Sequence, residues 1–168
     1  MHNHSERFGF YNIAIVLCAI LMVALCGCNK PVRSSAFLNI NTKNGWSEAV
    51  SLVLEMDDTT HAQQINICMR ITTLNMNENC CIPVLLNIES PAGKCYTDTL
   101  ELPLRYEANG NTYKKHNGRI SIQWPYRENV INREAGDWKF TFIPHKIQHN
   151  SIYRNISGLG ISCKREEK

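Results

Sequence analysis

The residues best placed for a defined piece of chemistry stand together at Leu25, Cys26, Gly27 and Cys28. An apolar residue three before a cysteine, then two small ones, is the bacterial lipobox, in which the Cys28 thiol takes a diacylglyceryl group. Small side chains at Cys26 and Gly27 let a signal peptidase approach, and Leu25 ends the membrane-embedded segment. The run before it agrees with this. Met1 to Asn12 is polar and carries Arg7, and Ile13 to Leu25 is unbroken apolar sequence, the layout of a signal peptide. As a helix those thirteen residues span roughly 20 Å, against about 30 Å of hydrocarbon. The expectation is cleavage before Cys28, leaving it as the lipidated first residue. Two other readings are an ordinary secretory signal cut elsewhere, and a retained span reached by extending the run to Phe8 and burying Asn12.

Other reactive residues offer less. His145 and His149 are four apart, a ligand spacing on a helix, but Pro144 precedes them after a strand pattern, which favours an exposed loop. Asp57 with Asp58, and Glu166 with Glu167, are neighbours that extended backbone points apart, so they read as a solvated turn and a solvated tail. No Gly-x-Ser-x-Gly, His-Glu-x-x-His, P-loop or dinucleotide fingerprint occurs. The reading is therefore non-enzymatic, with no cofactor and no metal. A hydrolase would need a pocket holding His145 beside a carboxylate. Of the three tryptophans, Trp124 and Trp138 fall on apolar strand faces and read as core, whereas Trp46, after Gly45, is a candidate for stacking a sugar ring. Past Cys28 there are five cysteines, Cys68, Cys80, Cys81, Cys95 and Cys163, an odd number. Several sit in apolar strand patterns, where a thiol acts as a small hydrophobe, so core filling is the leading reading and a disulfide between neighbouring strands the competing one.

The elements that must position these residues have a period of two. Runs at Ala49 to Met56, Ile65 to Ile71, Ile82 to Ile88, Tyr96 to Leu104, Arg119 to Trp124, Asp137 to Ile143 and Leu159 to Cys163 predict strands, with an eighth at Ala36 to Ile40. Ile65, Ile67, Met69 and Ile71 share one face, opposite Asn66, Cys68 and Arg70. The same alternation in Leu100, Leu102 and Leu104, in Ile120, Ile122 and Trp124, and in Trp138, Phe140 and Phe142 implies two sheets packed face to face. Pro91-Ala92-Gly93, Asn109-Gly110-Asn111, Asn117-Gly118 and Ala135-Gly136-Asp137 are turn sequences between them. Pro83 and Pro103 inside strand patterns point to edges or bulges. The predicted fold is an all-β antiparallel sandwich of seven or eight strands. Its parts are residues 1–27 as signal peptide, 28–35 as lipidated N-terminus and tether, 36–164 as the sandwich and 165–168 as a charged tail. Without residues 1–27 there remain 141 residues, enough for one domain. A net charge of +3 with scattered Lys and Arg argues against nucleic acid as a partner.

The order of several motifs resembles the gliding-motility lipoprotein H (GldH-like) family over Trp46 to about Ser162. They are Gly45-Trp46, the alternating run ending at Arg70, Asp98-Thr99-Leu100-Glu101, then Gly136 with Trp138 and Phe140, then His145, and last Ser157-Gly158-Leu159-Gly160-Ile161. The chain departs from the family pattern at Gly110-Asn111-Thr112-Tyr113 and at Ile147-Gln148. The resemblance implies a non-enzymatic lipoprotein of the cell envelope, associated with gliding and its linked secretion system, that acts through contacts with other envelope proteins. It supplies no catalytic residue. Asn29 after the lipidated cysteine is not Asp, so no inner-membrane retention is signalled and the outer membrane is the expected location. The rival expectation is a surface lipoprotein that binds carbohydrate through Trp46.

Overall fold

The computed structural model describes residues 33–41, 45–72, 81–104, 112–145 and 155–166. Among them are nine strands: β1 (Arg33–Asn39), β2 (Val50–Met56), β3 (Gln63–Thr72), β4 (Cys81–Glu89), β5 (Cys95–Pro103), β6 (Thr112–His116), β7 (Arg119–Val130), β8 (Gly136–Pro144) and β9 (Ile156–Arg165). They form two antiparallel sheets, a five-stranded one ordered β1-β9-β3-β7-β6 and a four-stranded one ordered β2-β8-β4-β5. The expected all-β sandwich is therefore present, with one strand more than the alternation showed.

The core is what the period of two dictates. Ile67, Met69 and Ile71 of β3, Ile122 of β7 and Leu159 and Ile161 of β9 form one apolar cluster with Leu54 of β2, Val84 and Leu86 of β4 and Phe140 and Phe142 of β8. All of these are at most 2 % exposed, and the whole buried cluster lies between Trp46 and Cys163. The sandwich thus carries a complete core within its own sequence. Asn66, on the opposite face of β3 from Ile67, is also buried, and its Nδ2 has no hydrogen-bond partner among the described residues.

Boundaries shift where pairing outweighs pattern. β1 begins at Arg33, which pairs with Lys164, so Arg33 to Ser35 belong to the sheet and not to the tether. β9 runs to Arg165, opposite Gln63, which removes that residue from the tail. β7 continues six residues past Trp124, through Pro125. That proline falls where the β6 ladder has ended at Gln123 and where β3 shifts register between Ile65 and Asn66, two settings that tolerate a missing N–H. Pro103 lies on the edge strand β5 as expected. Pro83 lies on the interior strand β4, one residue beyond the Val84↔Pro144 end of the β8 ladder. The predicted turn at Asn117-Gly118 joins β6 to β7 with φ of 45° and 71°, the pair of positive values that a two-residue hairpin needs. Asn109-Gly110-Asn111 lies outside the described residues.

Gly158 and Gly160 of β9 have a packing reason. The Phe37 ring of β1 lies across them so closely that an added Cβ would come within 2.5 Å of ring carbons at either position. The Arg70 guanidinium lies over the same ring, 4.5 Å from its centroid, a cation–π contact.

Two substitutions test this packing by urea unfolding. Phe142→Ala, at a fully buried position, is expected to cost about 3–5 kcal/mol. Gly160→Ala must displace Phe37 and is expected to cost about 1–3 kcal/mol.

Candidate functional site

One end of the sandwich collects the ends of six strands. Met56 closes β2, Gln63 opens β3, Ile88 stands near the end of β4 and Tyr96 near the start of β5, Tyr126 to Val130 finish β7 and Trp138 lies near the start of β8. Between them lies a half-open cavity of about 370 Å³, lined by Met56, Gln63, Ile88, Tyr96, Tyr126, Val130 and Trp138 with Ile65, Arg127, Asn132 and Phe140. That volume falls within the ordinary range of small-molecule pockets. Its walls are mainly aliphatic and aromatic, and Tyr96, at 51 % exposed, marks the mouth.

The loops around the cavity are pinned by polar groups. Asp58, in the β2–β3 loop, accepts from the backbone N–H of Thr60 at 3.0 Å and of His61 at 3.1 Å. His61 Nδ1 lies 3.0 Å from the same carboxylate and against the Arg165 guanidinium, and Arg165 also pairs with Asp58 at 3.3 Å. The hydrogen bonds from His61 and Thr60, that of the His61 side chain foremost, hold the Asp58 carboxyl well below the usual carboxylate range. The same loop is tied to the cavity wall by Gln63, whose Nε2 donates to the Asp58 carbonyl. The Gln63 Oε1 accepts from the Cys163 thiol at 2.7 Å. Burial pushes that thiol up to about 11, so Cys163 is a neutral donor at physiological pH.

The opposite wall is fixed in the same manner. Trp138 Nε1 donates to the Glu134 carbonyl at 3.1 Å, and Asn132 Nδ2 donates to that carbonyl at 2.7 Å and to the Met56 carbonyl at 3.4 Å. Tyr126 Oη donates to Asp98 at 3.1 Å, and Arg127 Nη2 donates to the same oxygen at 2.9 Å. Burial, then the Asp98 charge, raises the Tyr126 hydroxyl. Lys94 and Glu134, 2.6 Å apart, link the β4–β5 turn to the β7–β8 loop. Their contact lowers the carboxyl and raises the ammonium.

The residues singled out from sequence fall elsewhere or change role. Leu25, Cys26, Gly27 and Cys28 lie outside the described residues, as do Cys80, His149 and Glu167. Trp46 is 2 % exposed, with its Nε1 donating to the Glu48 carbonyl at 2.9 Å. It has no open ring face, which corrects its reading as a sugar platform. Trp124 is core, its Nε1 donating to the Pro103 carbonyl, while Trp138 is half-buried and forms part of the cavity wall. Asp58 is engaged and not merely solvated, and Glu166 accepts from the Asn129 N–H at 2.9 Å, at a residue with φ of 55°. Of the cysteines, Cys163 is buried, Cys68 is half-buried beside Ser162, and Cys81 and Cys95 are exposed, so core filling does not describe the last two. No two of these four are joined. Cys81 and Cys95 sit at opposite ends of the β4–β5 ladder.

Among the described residues no cluster of three His, Cys, Asp or Glu side chains could hold a metal ion, and no helix is long and apolar enough to cross a membrane. The cavity was not foreseen because its lining comes from six strands, and no local motif marks it. Tyr126, which follows Pro125, gave no alternation to read. No protein-family model matches the chain, and no curated protein matches it.

The Asp58 carboxylate supplies stability that is present above its unfolded value of about 3.9 and is lost as pH falls toward its lower folded value. In thermal melts the wild type should exceed Asp58→Asn by a constant margin above about pH 5. That margin should shrink steadily below about pH 4; a margin unchanged at low pH would show that Asp58 does not hold the loop as a carboxylate.

Proposed function

We propose that the protein is a lipid-anchored lipoprotein of the cell envelope, held at the outer membrane through Cys28, and that it works without catalysis as an accessory component of gliding-type machinery by contacting other envelope proteins. The observation that carries this reading is the Leu25-Cys26-Gly27-Cys28 lipobox behind a short apolar run, with four residues between Cys28 and Arg33, the first described residue and already paired in the sheet. Each buried methylene contributes about 0.8 kcal/mol, so one acyl chain binds marginally while two or three hold firmly. The motif order shared with the gliding-motility lipoprotein H family supports the envelope role. A pinned, aliphatic end cavity and an edge strand, β1, bearing the exposed Phe37 and Leu38 suit a module that binds, since sheet edges and open apolar side chains are common contact points.

Intact-mass measurement on protein from the native host tests the anchor: the chain should begin at Cys28 and carry a diacylglycerol adduct. Cys28→Ala should leave residues 1–27 attached and abolish acylation; a different N-terminus in the wild type overturns the reading. A photo-crosslinking residue at position 37 should capture defined envelope proteins in cells, and capture of none would remove the accessory role.

A further inference from the structure

We propose that the cavity at the Arg33 end of the sandwich is a site for one acyl chain of a membrane lipid. Its inner wall is hydrocarbon and ring: Met56, Ile65, Ile88, Val130, Trp138 and Phe140. Four of the polar side chains that line it are already committed to the protein, and the Tyr96 hydroxyl stands at the exposed rim. Gln63 Nε2 goes to the Asp58 carbonyl, Asn132 Nδ2 to the Met56 and Glu134 carbonyls, Trp138 Nε1 to the Glu134 carbonyl and the Tyr126 hydroxyl to Asp98. A sugar or a peptide backbone entering here would leave its own polar groups without these partners, which is costly away from water. A hydrocarbon chain brings no such groups. It leaves every pinning bond intact and asks for no new one. The rim carries Arg127, but its charge is matched by Asp98 at 2.9 Å, so the site selects the chain more than the headgroup.

Position on the domain agrees with a lipid source. Arg33 and Gln64 both pair with Lys164, from opposite sides of β9. Two strand spacings therefore separate the start of β1 from the cavity wall at the beginning of β3, about 10 Å. The chain from Cys28 to Arg33 reaches at most about 17 Å. A lipid on Cys28 therefore keeps this end of the sandwich beside the bilayer surface; that step rests on the lipidation proposed above, whereas the cavity's chemistry does not.

The test uses bromine as a contact quencher of tryptophan emission. With the non-acylated mature chain in solution, 9,10-dibromostearate should quench saturably the part of the emission that Trp138→Phe removes, and spare the rest, because Trp46 and Trp124 are closed inside the core. Val130→Phe, filling the cavity from a half-exposed strand end, should weaken binding about tenfold. Should that variant fail to fold, Ile88→Phe fills the same space from the other sheet. Absence of saturable quenching, or quenching unchanged by a folded filling variant, overturns the site. Displacement of the fatty acid by a capped Leu-Phe peptide at lower concentration would assign the cavity to a protein segment instead. In a second arm the acylated chain is mixed with phosphatidylethanolamine and phosphatidylglycerol vesicles whose chains are brominated, and Trp138 should be quenched. If the protein floats with the vesicles but Trp138 is not quenched, bilayer lipid is overturned as the source. If it does not float, the anchor has failed and the first arm decides the cavity.

Discussion

A strand that slips by one residue turns every side chain to the other face, and this sandwich has little tolerance for that. Phe140 and Phe142 must both face the interior while Thr141 between them meets Ser51 across the sheet, hydroxyl to hydroxyl at 2.9 Å. Ile67 must meet Trp124 on one side and Ile161 on the other. Burial of these side chains supplies the drive for folding, and strand pairing supplies the address. Everything at the open end inherits its geometry from that agreement. Gln63 reaches Cys163 only because the β3–β9 register puts Ile65 beside Cys163, with the end of β9 close at hand.

At that end the logic changes from packing to polar bonding. The sheets no longer fill the space between them, and the loops are held by Asp58, Gln63, Asn132 and Glu134 instead of by buried apolar side chains. A cavity next to a packed core persists only if its walls are stiff. The bonds from Trp138 and Tyr126 orient the rings, and those from Gln63 and Asn132 anchor the wall to loop carbonyls. The ion pairs nearby each keep at least one largely exposed partner or an exposed rim, and such pairs contribute little energy; that of Lys94 with Glu134 joins the β4–β5 turn to the β7–β8 loop.

The sheets were legible from the sequence because their signal is local. Alternation at Ile65 to Ile71 or at Trp138 to Phe142 names both the strand and its buried face. β6 escaped because Thr112 to His116 is short, lies at an edge and turns only Tyr113 partly inward, so no apolar alternation exists to detect. The far half of β7 escaped because Pro125 reads as a terminator, whereas the end of the β6 ladder makes it harmless. Trp46 misled for a related reason: a lone aromatic after a glycine says nothing of what covers it, and here it joins the core. The cavity is a property of six strand ends meeting, so its residues carry no shared spacing along the chain.

The seven-residue register between β1 and β9 also has a mechanical meaning. β1 is the first strand among the described residues, and there its backbone ladder runs with β9 only. Tension transmitted along β1 from Arg33 acts in shear, so all of its ladder bonds must yield together, with the Phe37 ring wedged over Gly158 and Gly160 resisting the slide. A sideways pull would instead peel the strand one bond at a time. The β1–β9 ladder therefore resists a pull along the strand far better than a pull across it.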